Sequence, residues 1–156
     1  MHPSETSHFT QANLALDRLR AIRTFHYEAT PLPGSMTAWN GSAAGLVQVR
    51  EAPNGLHFEE KGTFTPAGGS PIQISNHYLW LSADERLRLF HLRHSSPVFL
   101  VELEEGSGGQ WYSLAAHACG RDLYELTLEF AEHSVSARWH ITGPKKNEQL
   151  DYRYSE

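Results

Sequence analysis

The tract His117-Ala118-Cys119-Gly120-Arg121-Asp122-Leu123-Tyr124 holds the densest set of side chains able to do chemistry in this chain. His117 and Cys119 are two residues apart, so on a β-strand both point to one face. Gly120-Arg121 reads as a hairpin turn, which would set Cys119 opposite Asp122 and His117 opposite Tyr124. Such a group offers a base, a thiol nucleophile and a phenol donor. The plainer account makes Asp122 a turn cap, Cys119 a small buried hydrophobe and Tyr124 a phenol bonded to backbone. Candidate catalytic residues are therefore His117, Tyr124 and Cys119, with Glu60 as a further acid.

A wider set of polar residues falls on strand faces that otherwise read as interior. Leu56, Phe58, Glu60, Gly62 and Phe64 share one face, and Ile72, Ile74, Asn76, Tyr78 and Trp80 another. Leu87 and Leu89 are followed on their face by His91 and Arg93; Val135, Ala137, Trp139 and Ile141 line a further one. Burying that many polar groups without partners would cost roughly 1–3 kcal/mol each. They must satisfy one another, hold water or face a ligand. Expected ligand-binding residues are Glu60, Asn76, Tyr78, Trp80, His91, Arg93, His117, Tyr124 and Trp139. The alternative is a filled core with an internal polar network.

Ten histidines make metal binding worth testing against spacing. His91 and His94 are three apart and face opposite sides of a strand, and His117-x-Cys119 would need two ligands from elsewhere. There is no CxxC and no HExxH, so no metal site and no cofactor are expected. Gly143-Pro144-Lys145-Lys146 could offer two cations to an anion, though such a stretch is more often a solvated hairpin turn. No GxGxxG, Walker-type loop or G-x-S-x-G elbow occurs, which argues against phosphate-loop nucleotide chemistry and α/β-hydrolase chemistry.

The elements that must position these residues follow from punctuation. Phe9, Ala12, Leu16 and Leu19 recur at helical spacing, giving a helix over about 8–20 that Thr6 or Ser7 could cap. Turn signals then recur at intervals of roughly ten residues, as in an all-β meander. Candidate strands lie near 20–30, 36–51, 56–65, 71–82, 86–94, 97–105, 110–119, 122–131, 134–143 and 147–155. No helical crossover fits between them, so the sheet should be antiparallel. The expected fold is all-β: a single antiparallel up-and-down β-barrel of 8–10 strands over about 20–155, with the helix at its N-terminal side and one domain over 1–156. A two-sheet sandwich is the alternative.

Composition bounds the partners. The 156 residues carry 13 Lys plus Arg against 18 Asp plus Glu, a net charge of −5. That balance disfavours binding to nucleic acid or to an anionic membrane surface. A single cysteine excludes an internal disulfide, and with no signal peptide or apolar span visible the expected location is cytoplasmic. Association as a homodimer is left open.

Four tracts carry a resemblance: Glu60-Lys61-Gly62, Tyr78-Leu79-Trp80, His117 to Tyr124 as quoted above, and Trp139-His140-Ile141-Thr142-Gly143-Pro144-Lys145-Lys146. In the patterns E-x-G, Y-x-W, H-x-C-x-x-D-x-Y and W-x-x-x-G-P-[RK]-K, this chain resembles a bacterial family known only as a domain of unknown function. The likeness covers roughly residues 36–155, and the last two patterns are the specific ones. The chain departs in the first strand, where the family tends to have an aromatic and this sequence has Leu19-Arg20-Ala21-Ile22-Arg23. The resemblance implies a lipocalin-like or related β-barrel and brings no established activity.

The leading functional expectation is an intracellular barrel that binds a small, partly apolar ligand in its interior. Its rival is a small-molecule enzyme (a cyclase, isomerase or hydrolase) built on an interior His/Tyr/Glu constellation. A protein-interaction module is a third reading, which would require a large exposed apolar patch.

Overall fold

A computed structural model of the chain describes residues 10–37 and 39–156, with Cys119 described by its backbone alone. The helix α1 runs over Gln11–Arg20. Thr10 caps it, its side chain accepting from the Asn13 backbone N–H at 3.1 Å. Arg18 and Arg20 lie in the last turn, where cations complement the helix dipole. Phe9, Thr6 and Ser7 lie outside the described residues.

Eleven strands follow: β1 Thr24–Pro31, β2 Gly41–Ala52, β3 Gly55–Pro66, β4 Ile72–Ala83, β5 Arg86–Arg93, β6 Ser96–Glu105, β7 Gln110–Ser113, β8 His117–Cys119, β9 Asp122–Phe130, β10 Ser134–Thr142 and β11 Asn147–Ser155. Each pairs antiparallel with its neighbour in sequence, except that β7 and β8 share one edge of β9. Pairing of β11 with β1 then closes the sheet. The result is a ten-strand up-and-down barrel in which β7 and β8 together occupy one strand position. Closure leaves almost no free edge. Among the described residues no helix is long and apolar enough to cross a membrane.

Period-2 alternation builds the interior. Phe25, Tyr27 and Ala29 of β1, Phe58 and Glu60 of β3, and Val135, Ala137, Trp139 and Ile141 of β10 are all buried. On β5 and β6 the alternation is interrupted, because the register shifts between Leu89 and Phe90 and leaves Leu100 as the extra residue. The two-residue turns Asp84-Glu85 and His94-Ser95 have φ of 48°, 68°, 50° and 67°, the left-handed geometry of tight hairpins.

Three sequence expectations are corrected. The tract 19–23 ends the helix and leads into β1, which starts at Thr24. The first strand therefore carries Phe25 and Tyr27. The strand expected from 36 begins only at Gly41, and residues 36, 37, 39 and 40 precede it as loop. The strand expected over 110–119 is broken at Leu114-Ala115-Ala116, just past the last rung of the β6–β7 pairing, where the Leu114 N–H donates to the Glu102 carbonyl at 2.9 Å. As a result β6 pairs with β7 only through Leu103–Glu105, and no ladder joins its first half to β8. The wall is notched there.

At one end, α1 packs against β3 and β4 beside the Asn54 and Asp84-Glu85 turns. Its inner face buries Ala12, Ala15, Leu16 and Leu19. The Ser82 hydroxyl donates to the Asn13 side chain at 2.9 Å, and Arg20 pairs with Glu51 at 2.8 Å.

Gly62, in the Glu60-Lys61-Gly62 tract, faces Gly45 across the β2–β3 ladder. A Cβ on Gly62 would lie 2.2 Å from the Ala44 carbonyl oxygen, and one on Gly45 2.1 Å from that of Lys61. The two backbones approach more closely than any side chain permits. Gly62→Ala is expected to lower stability by about 3 kcal/mol, read as a fall in the urea midpoint.

Candidate functional site

At the end opposite α1 the barrel opens into a cavity of about 550 Å³. Asn76 and Tyr78 of β4 and Tyr152 of β11 contribute polar atoms to its wall. Trp39, Ile74, Leu100 and Trp139 supply apolar surface, and His91, Arg93, Tyr124 and Lys146 complete the polar part. The volume is in the range of pockets that hold small organic ligands.

Beneath the cavity lies a carboxylate in an aromatic cage. Glu60 is 1% exposed and accepts from the Tyr154 hydroxyl at 2.5 Å and from the Asn76 amide at 3.5 Å. Burial raises its pKa from 4.5 to about 7, and the two hydrogen bonds restrain the rise. The surrounding phenols respond to the same desolvation and to Glu60. Tyr27 is pushed up to about 12, and Tyr78, Tyr152 and Tyr154 lie well above the ordinary range. Tyr78 and Tyr152 hydrogen-bond to each other. Tyr27 stacks on Tyr152 with centroids 4.6 Å apart, and Tyr152 on Tyr154 at 5.3 Å. These phenols are donors and acceptors that stay neutral at any physiological pH. Tyr154→Phe removes the shorter bond to Glu60, so the carboxyl is expected to titrate above about 7, as followed by carbon-13 NMR of the labelled side chain.

On the rim, the Arg93 Nε donates to the His91 Nδ1 at 3.4 Å. Burial, and then Arg93 itself, hold the His91 imidazole below its ordinary pKa. Lys146 lies 3.2 Å from Asp122, and that hydrogen bond raises its pKa. Behind this pair, Glu148 is 1% exposed. One of its oxygens accepts from Thr37 and the other has no partner among the described residues. Desolvation raises its pKa.

The sequence-derived residues fall into three groups. Asn76, Tyr78, His91, Arg93, Tyr124 and Trp139 meet at the cavity. Glu60 and Trp80 lie deeper: Glu60 is reached through Asn76, and Trp80 is packed at 4% exposure beside Leu89 and Leu126. His117 stands opposite Tyr124 in register, as the turn required, yet it is not part of the cavity wall. Its ring meets Phe99 edge-on at 5.6 Å across the notch, and Phe99 in turn meets Phe90 at 5.7 Å. The Cys119 side chain lies outside what the structure describes. Among the described residues no three of His, Cys, Asp or Glu converge on a metal position.

Sequence reasoning missed Tyr27, Tyr152 and Tyr154. The signal was present, since Leu150, Tyr152 and Tyr154 alternate along β11, as Phe25, Tyr27 and Ala29 do along β1. Lys146 was legible only as a turn cation.

The closed barrel, the buried Glu60 of the E-x-G tract and the Trp139-to-Lys146 tract at the mouth are features a whole-chain comparison can weigh. No curated protein matches the chain. The model of a family described as Family of unknown function (DUF6314) matches residues 13–156, from within α1 to the last residue, and the chain belongs to that family.

Proposed function

We propose that the barrel binds a small, partly apolar molecule in the cavity at its open end. One observation carries the reading: about 550 Å³ of space lies between indole and aliphatic walls and is edged by polar atoms. A core evolved only for stability would fill such space, because interiors are close-packed. Neutral phenols and an amide can bond to a carbonyl or hydroxyl of the guest while Trp39 and Trp139 cover its rings. Location in the cytoplasm belongs to the same reading and is supported by the single cysteine.

The test uses a neutral aromatic reporter, N-phenyl-1-naphthylamine, whose emission rises in apolar surroundings. Saturable enhancement is expected, and Ile74→Trp, which fills the cavity from β4, is expected to weaken it about tenfold or more, as lost apolar contact implies. No enhancement, or enhancement indifferent to Ile74→Trp, overturns the reading.

A second reading, a small-molecule enzyme, is favoured by Glu60, whose pKa of about 7 suits a proton donor or acceptor at neutral pH. Asn76 and Tyr78 stand between Glu60 and the cavity, so a proton would have to pass through a phenol or a bound water. This reading expects a turnover whose pH profile bends near 7 and loses the bend in Glu60→Gln.

A further inference from the structure

Resting on the reading that the cavity holds a small molecule, we propose that its occupant is a ring-bearing monocarboxylate, with the carboxylate held at the mouth by Arg93. The protein as a whole is acidic, at −5, yet the charged residues of the cavity wall are Arg93 and Lys146, and none is Asp or Glu. An anion drawn to this chain would find its favourable field at this mouth.

The two cations are not equivalent. Lys146 is already matched by Asp122 at 3.2 Å, with Glu148 behind them both. Arg93 has no carboxylate within 4.0 Å among the described residues. Its Nε is spent on the His91 Nδ1, which fixes that nitrogen as the acceptor and puts the imidazole proton on Nε2. The two Nη groups of the guanidinium remain, a planar fork that fits the two oxygens of a carboxylate. Position supports the role. Arg93 is the last residue of β5, held at the rim by the tight His94-Ser95 turn, and Trp39 and Trp139 line the same cavity, offering indole surface to a ring. One unmatched positive charge selects a monoanion. A phosphate dianion would need a second, and Lys146 is not available to supply it.

The experiment compares naphthalene-1-acetate with naphthalene-1-acetamide, which share ring and shape and differ in charge, in a titration followed by nitrogen-15 NMR. The acetate is expected to bind about tenfold more tightly to the native protein, the effect of one hydrogen-bonded charge pair. Arg93→Gln, an exposed substitution, is expected to bring the two to equal affinity by weakening the acetate alone. Acetate binding no tighter than acetamide, or an acetate preference that survives Arg93→Gln, overturns the proposal. Naphthyl phosphate binding more tightly than the acetate overturns the monoanion assignment. If N-phenyl-1-naphthylamine still enters the cavity in those cases, the binding reading stands without the anion. If it does not, both fall together.

Discussion

Glu60→Gln is expected to gain about 3 kcal/mol of stability relative to the native chain between roughly pH 4 and pH 8. The direction follows from the buried carboxyl, whose pKa rises from 4.5 unfolded to about 7 folded. A group that binds protons more tightly when folded contributes its full stability below the unfolded value. That contribution is lost as pH climbs through the window from 4.5 to about 7, because a charge must then be held among phenols and apolar walls. Glutamine keeps an oxygen to accept from Tyr154 and never ionises, so its curve lacks this descent. Glu51, Glu102 and Asp151 have lowered pKa values and act in the opposite direction, as does burial of His91 near neutrality. For that reason the quantity to measure is the difference between the two proteins in urea unfolding across pH. A difference that stays constant would mean that the carboxyl titrates as if in water.

Removing residues 1–20 is expected to abolish cooperative unfolding altogether. An isolated ten-residue helix is marginal in water, so α1 exists because Ala12, Ala15, Leu16 and Leu19 are buried on the barrel. The dependence is mutual. The parts of β3 and β4 that α1 packs against would face water once it were gone. Leu19→Ala alone, at 1% exposure, is expected to lower stability by about 3 kcal/mol, a large share of a net stability of roughly 5–15 kcal/mol. Leu14, 44% exposed on the same helix, gives the comparison: Leu14→Ala is expected to change stability by less than about 0.5 kcal/mol. Equal losses at the two positions, or an unchanged melting temperature in the truncated protein, would make α1 a detachable tail.

The strands were legible because hairpins announce themselves locally. Turn residues at Pro53-Asn54, Ala83-Asp84 and Gly143-Pro144, with period-2 runs between them, placed most strand ends within a residue or two. Inward faces followed where alternation ran unbroken, as along β3 and β4, so Glu60, Asn76 and Tyr78 were found beforehand. What failed to show depends on partners far away in sequence. Leu114-Ala115-Ala116 carries no turn residue, so nothing in the local sequence marks the break there. His117 reads as inward by register, but no ladder joins β8 to the first half of β6 that should flank it, and its ring meets Phe99 edge-on. The pairing of Arg93 with His91 is local and readable. The pairing of Lys146 with Asp122 joins two turns that sequence alone does not bring together.

If the barrel binds a guest as proposed, the placement of α1 also sets the kinetics of its exchange. Among the described residues α1 packs over one end of the barrel and the cavity opens at the other, so a guest enters and leaves through the same mouth. A newcomer cannot push the resident molecule out through the far side. Exchange of one guest for another must therefore be dissociative. Its rate will be set by how fast the first guest leaves, and raising the concentration of the second will not hasten it.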